Sequence, residues 1–295
     1  MIWTTGDTHG KDAFKYGAGY ISVDGYMPRL SEEAFPEQRE MTKDDYVVIL
    51  GDFGGVWGTN RYCVSELPDE KEGLDWLNDK PFTTLFIPGN HENWDRLIGC
   101  RNEELLASWF YADMPESEKE KLRKGYPQKR WHGGTVREIR PSVLMLEPGV
   151  FDINGKKCFA YGGAQSHDIQ HGILNPAELS GEEEFQSILS AGTGFSRILG
   201  VTWWKEEQPS KEDEEKALNA LKKHDFKVDF VFTHAPTAST QILLGYSAKT
   251  RIDTFLEGIR LDMNYKHWFS GHLHRNQTMP GGQDHILYEQ LIQIA

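Results

Sequence analysis

Seven side chains in this sequence offer oxygen or nitrogen donors at spacings that suit a metal site: Asp7 and His9, Asp52, Asn90, His234, and His272 with His274. Residues two apart lie on one face of extended chain, so Asp7-x-His9 and His272-x-His274 each present two ligands in one direction. Carboxylate, imidazole and amide oxygen without thiolate fit borderline metals. Seven donors are too many for one tetrahedral zinc, and they suit two ions that share Asp52. Asn90 is a neutral oxygen ligand, the neighbouring His91 can supply a proton, and Glu92 is placed to hold the loop or orient the histidine.

Each of these residues follows an apolar run. Met1–Thr5 leads to Asp7, and Tyr46-Val47-Val48-Ile49-Leu50 leads to Gly51-Asp52. Phe82–Ile87 leads to Gly89-Asn90-His91-Glu92, Val228–Thr233 to His234, and His267–Ser270 to Gly271-His272. Short β-branched and aromatic runs bounded by glycine and charge read as buried parallel strands, and ligands of open α/β sheets bind at their C-terminal edges. The spacing predicts crossover helices over 69–78, 210–224 with Ser210 as N-cap, and 252–261. A loop and a short helix near Ser31–Arg39 fill 11–43. Four short strands, 136–139, 143–146, 150–153 and 157–161, with Asn154-Gly155 as a hairpin turn, predict a second, largely antiparallel sheet that residues 284–295 close. The charged stretch 101–130, helical near 103–110 and 116–124, reads as a surface insertion. Residues 165–209 read as a lid-like insertion in which Trp203 and Trp204 plug a core. Its opening residues Gln165, Ser166, His167, Asp168 and His171 follow a strand end, and His167 and His171 are candidate substrate contacts. The whole chain, 1–295, is expected to form one domain.

Composition narrows the partners. With 38% hydrophobic and 12% aromatic residues, 295 residues can bury a large core. No apolar run approaches the roughly 18 residues of a membrane span. The first residues enter a strand pattern without a signal-like segment, and the three cysteines, Cys63, Cys100 and Cys158, lack metal-type spacing. The expectation is a cytoplasmic protein with free thiols. A formal charge of -13, from 32 basic against 45 acidic residues, disfavours grip on extended nucleic acid. A small phosphorylated substrate remains compatible, because bound cations reverse the local field.

In order, Asp-x-His, Gly-Asp, Gly-Asn-His-Glu, His and Gly-His-x-His resemble the motifs of the calcineurin-like metallophosphoesterase superfamily across nearly the whole chain. Gly162-Gly163-Ala164 and Trp203-Trp204-Lys205-Glu206-Glu207 resemble a bacterial and phage-associated branch of it. The resemblance implies a four-layer α/β/β/α sandwich of two mixed sheets flanked by helices. It implies one ion on Asp7, His9 and His274, a second on Asn90, His234 and His272, and Asp52 bridging both. Manganese, iron or zinc would serve. The implied reaction is hydrolysis of a phosphodiester or phosphomonoester by in-line attack of a metal-bridging hydroxide, with His91 as general acid and, like Asn90, a substrate contact. The superfamily's protein phosphatases carry an aspartate and a basic residue where this chain has Gly55 and Val56, which points away from phosphoproteins and toward a small diester such as a nucleotide. A nuclease is the alternative. A noncatalytic interaction scaffold is a third reading, which the complete ligand set disfavours.

Overall fold

In the computed structural model of the chain, the described residues are 1–10, 29–58, 66–192 and 197–295. Cys63 and the first part of the 11–43 loop lie outside them. Two large mixed sheets face each other. Across the first, the order is Leu291–Gln293, Ile2–Thr5, Tyr46–Leu50, Thr83–Ile87, Val143–Leu146, Gly134–Arg140 and Gln128–Trp131. Across the second it is Gln277–Thr278, Asp284–Ile286, His267–Ser270, Phe230–Thr233, Lys156–Tyr161 and Gly149–Ile153. The strands that lead to the donor residues pair in parallel within each sheet, so their C-terminal ends lie together.

Alternation along these strands divides the core into layers. In Tyr46–Leu50, Val47 and Ile49 pack outward against Leu74 and Leu77 of the Pro68–Asn78 helix. Tyr46, Val48 and Leu50 point inward, where they meet Phe151, Ala160, Phe232 and Phe269 from the other sheet. The second sheet turns Phe159, Val231 and Trp268 outward onto Ala217, Leu221, Leu256 and Ile259 of the Lys211–Lys222 and Arg251–Asp262 helices. The result is the four-layer sandwich. Both outer helices begin with capping boxes, Ser210 with Asp213 and Thr250 with Asp253, which satisfy N–H groups that the first turn leaves open.

Three strand expectations need correction. The strands over 136–139 and 143–146 belong to the first sheet, and only the 149–161 hairpin opens the second; the chain crosses between sheets at Glu147-Pro148. Period-2 alternation reports which face is buried and not which sheet provides the partner. The C-terminal segment splits likewise: Asp284–Ile286 joins the second sheet, whereas Leu291–Gln293 pairs antiparallel with Ile2–Thr5 in the first. Gln128–Trp131, too polar to read as a strand, pairs as an edge strand with Gly134–Arg140. The helix expected near Ser31–Arg39 is a 3₁₀ turn over Pro36–Glu40. The 101–130 and 165–209 segments share a core of their own, in which Leu105, Phe110, Tyr111 and Leu122 meet Leu174 and Phe185. Trp204 is a buried plug, as its composition suggests, and Trp203 is half-buried.

Candidate metal centre

The strand ends bring Asp7, His9, Asp52 and His274 together, with one donor atom from each lying within 4.8 Å of the others. His9 Nε2 and His274 Nε2 stand 3.1 Å apart. Asp7 Oδ2 is 3.1 Å from His274 Nε2 and is buried without a well-formed hydrogen bond. On the other side of Asp52, His234 Nε2 lies 3.4 Å from its Oδ1 and 3.0 Å from Asn90 Oδ1. His272 packs its ring 4.9 Å from that of His234. Two groups of donors therefore flank Asp52.

Tautomers follow from the outer partners. His234 Nδ1 donates to the Leu50 carbonyl at 2.8 Å, which leaves Nε2 facing the carboxylate and the Asn90 oxygen. A bare ring nitrogen and an amide oxygen 3.0 Å apart are two acceptors and repel unless a proton or a cation lies with them. The electrostatics agree. Burial disfavours the charged form of His234, but Asp52 and then Asp7 outweigh it and raise its pKa to about 9. Asp52, also opposed by burial, is held well below the usual carboxylate range by His234, His91 and His9. Burial, then the His234 charge, lower His272 to about 3, which favours a neutral imidazole, the form able to bind a cation. These crowded acceptors around buried carboxylates fit divalent cations by donor chemistry.

The backbone is arranged around the same atoms. Asp52 Oδ1 accepts the His91 N–H at 2.7 Å, and Asp7 Oδ1 accepts the His272 N–H at 3.0 Å. A Cβ on Gly89 would fall 2.0 Å from Asp52 Oδ1, so only glycine lets that strand end close on the carboxylate. Glu92, fully buried, accepts N–H groups from Phe53 at 2.7 Å, Gly54 at 3.3 Å and Gly89 at 3.4 Å, tying the Asp52 loop to the Asn90 loop. Burial, then the Asp52 charge, push its carboxyl up to about 8 against those donors.

A cleft of about 610 Å³ opens onto the donors and is lined by Asp52, Asn90, His91, His167, His272 and His274 among others. A larger cleft of about 1010 Å³, near Trp94 and Trp203, carries none of the seven donors. His91 is partly exposed, 5.6 Å ring to ring from His9, and burial lowers its pKa more than Asp52 raises it. His167 lies 6.2 Å ring to ring from His272. His171 is exposed and does not line the cleft.

Two contributors, Arg29 and Glu207, are illegible in the sequence, and a third, Ser166, is legible there only as one of the polar residues that open the 165–209 segment. Arg29, buried under the Asp7 turn, donates to Thr5 Oγ1 at 2.7 Å and the Tyr288 carbonyl at 2.6 Å. Ser166 and Glu207, from opposite ends of the 165–209 segment, bond to each other, and Ser166 bonds to Asn90. Only a buried-glutamate signal could have found Glu207, and acidic residues are ordinarily exposed.

Two facing mixed sheets with a carboxylate, imidazole and amide cluster at their strand ends define a metal-dependent phosphoesterase type of site. A family model described as calcineurin-like phosphoesterase matches residues 1–276, and the chain belongs to that family. Among solved structures, the chain is similar to a protein of Staphylococcus aureus described as a putative 5′-nucleotidase, in complex with alpha-ketoglutarate. The identity is 15%, the TM-score 0.40, and the match covers 97% of this chain and 48% of that one. It is also similar to the phosphopantetheinyl hydrolase PptH of Mycobacterium tuberculosis, with 15% identity, TM-score 0.35, and coverage of 98% and 89%. The chain thus spans about half the length of the first of these. Likeness at this level transfers no substrate. No curated protein matches the chain. Among the described residues, no helix is long and apolar enough to cross a membrane.

Proposed function

We propose that this chain, as one domain carrying the 101–130 and 165–209 insertions, hydrolyses a small phosphodiester with two divalent cations. Asp7, His9 and His274 would hold one and Asn90, His234 and His272 the other, with Asp52 between them as a ligand open to both. The convergence of acceptor atoms on either side of Asp52 supports this reading most directly. Such a pair of ions, when bound, would polarise phosphoryl oxygens and lower the pKa of water. The protein's own groups do the rest. His91 Nε2 or Nδ1, at the cleft wall, donates a proton to the departing oxygen, while its N–H bond to Asp52 Oδ1 fixes the turn that carries it. Asn90 and His167 face the same space and orient the ester.

A diester is preferred on charge. Val56, where the superfamily's protein phosphatases place a cation, is buried in the core beneath the first sheet. No lysine or arginine is among the described residues lining the cleft. A diester monoanion needs less compensation than a monoester dianion.

The test is turnover of a bis-aryl phosphate beside the matching aryl monoester by metal-stripped protein reloaded with manganese. We expect faster diester cleavage and its loss in Asp52→Asn. In His91→Asn, turnover should slow by about 10²–10⁴-fold with manganese content unchanged. Monoester preference refutes the substrate class, and full activity of His91→Asn refutes its role.

A further inference from the structure

Asn90 must present its amide oxygen, not its nitrogen, to a cation. What decides between these two nearly isosteric orientations is a hydrogen-bond chain from the 165–209 segment. Asn90 Nδ2 donates to Ser166 Oγ at 3.2 Å. Ser166 Oγ donates in turn to Glu207 Oε2 at 2.6 Å, and the Ser166 N–H donates to Glu207 Oε1 at 2.8 Å. A serine hydroxyl has one proton. With that proton committed to the carboxylate, Ser166 Oγ can only accept from Asn90, so the amide nitrogen faces Ser166 and Oδ1 faces His234 Nε2.

The chain is built and buried. Ser166 is 3% and Glu207 0% exposed. Glu207 ends the Lys205–Glu207 turn directly after the buried plug Trp204, whose ring meets Trp57 edge-on at 5.6 Å. The Glu207 carbonyl accepts the Ala164 N–H at 3.0 Å, closing both ends of the segment onto one another.

We infer that Ser166 and Glu207 are positioning residues for the second cation. They fix the polarity of the Asn90 amide and make that ligand depend on the docking of the 165–209 segment. The inference rests on the two-cation reading above. Outer partners of metal ligands typically govern about 10–100-fold in affinity.

The experiment is calorimetric titration of metal-stripped protein with manganese, with electron paramagnetic resonance reporting the spin-coupled pair. Wild type takes up two equivalents. Ser166→Ala binds the first equivalent as wild type does and the second about 10–100-fold more weakly, with loss of the coupled signal. Ser166→Thr, which keeps the hydroxyl, retains both, and Glu207→Gln behaves as Ser166→Ala does. If Ser166→Ala binds both equivalents with wild-type affinity, or loses both equally alongside a lower melting temperature, the positioning role is wrong while the two-cation reading survives. If wild type itself binds one equivalent, the two-cation reading fails and this inference with it.

Discussion

Glu92 offers the sharpest test of how the two ligand-bearing loops are held. Among the described residues no cationic side chain pairs with its carboxylate, which takes three backbone N–H groups, two on the Asp52 loop and one on the Asn90 loop. Leaving a buried donor unsatisfied costs about 1–3 kcal/mol. The Phe53 bond at 2.7 Å belongs at the upper end and the two longer ones at the lower end, so Glu92→Ala should cost about 5 kcal/mol. Glu92→Gln separates geometry from packing. Phe53 and Gly89 both donate to Oε1, which a glutamine oxygen can replace, whereas Gly54 donates to Oε2, where an amide nitrogen would meet another donor. One lost bond, and a longer one, predicts about 1–2 kcal/mol. Urea unfolding of metal-stripped protein at about pH 9, where the Glu92 carboxyl with its pKa of about 8 is ionised, measures both, and manganese titration of the same variants should show weaker binding in the order wild type, Gln, Ala. The reasoning is refuted if Ala costs less than about 1 kcal/mol or if Gln is as damaging as Ala.

Two further outcomes follow from other buried groups. Burial raises Asp95 to about 6 from its ordinary 3.8, so the folded state holds a proton that the unfolded state releases. This contribution is present below about pH 4 and lost as pH rises through about 6. Asp95→Asn should therefore match wild type near pH 4 and exceed it by about 3 kcal/mol at pH 8, as denaturant midpoints will show; a difference constant with pH contradicts the assignment. Gly89→Ala would set a methyl 2.0 Å from Asp52 Oδ1 and 2.3 Å from the Asp52 nitrogen. It should lower manganese affinity at least tenfold, and unchanged affinity by titration would show that the loop yields at little cost.

The sequence made the site legible wherever an apolar run ends in a polar donor, because strand direction and edge position then follow from the run itself. Asp7, Asp52, Asn90, His234 and His272 all lie one to three residues beyond such runs. Sheet membership was less legible. Val136, Leu144 and Leu146 alternate as Phe151 and Ile153 do, and all five bury into the same inter-sheet layer from opposite sides. A local pattern that reports only burial cannot separate two sheets sharing one core. Arg29 and Glu207 were hidden for another reason, and Ser166 was legible only as a polar residue past a strand end: their roles come from contacts 22 to 259 residues away, made by residue types that are ordinarily solvated.

Backbone conformation explains why the two carboxylates are aspartates. His9, Asp52, His272 and His274 have φ of 47°, 43°, 68° and 48°, a left-handed region that side chains other than glycine rarely adopt. At about 1–2 kcal/mol each, the four cost about 4–8 kcal/mol, comparable with the net stability of a whole domain. Local bonds must offset this whether or not cations are bound. The Asp52 carbonyl accepts N–H groups from Thr8 at 3.1 Å and His9 at 2.7 Å. Asp7 Oδ1 takes the His272 N–H, and Asp52 Oδ1 takes that of His91. Asp7 thus uses one oxygen to clamp the strained His272 turn and Asp52 uses one to hold the neighbouring Asn90 loop, and each keeps the other oxygen, Asp7 Oδ2 beside His274 and Asp52 Oδ2 beside His9, directed at the donor cluster. A glutamate, one methylene longer, would carry its oxygens past the turn it has to clamp. Holding these turns and directing an oxygen at the donor cluster therefore impose one requirement on positions 7 and 52, and the short carboxylate meets both.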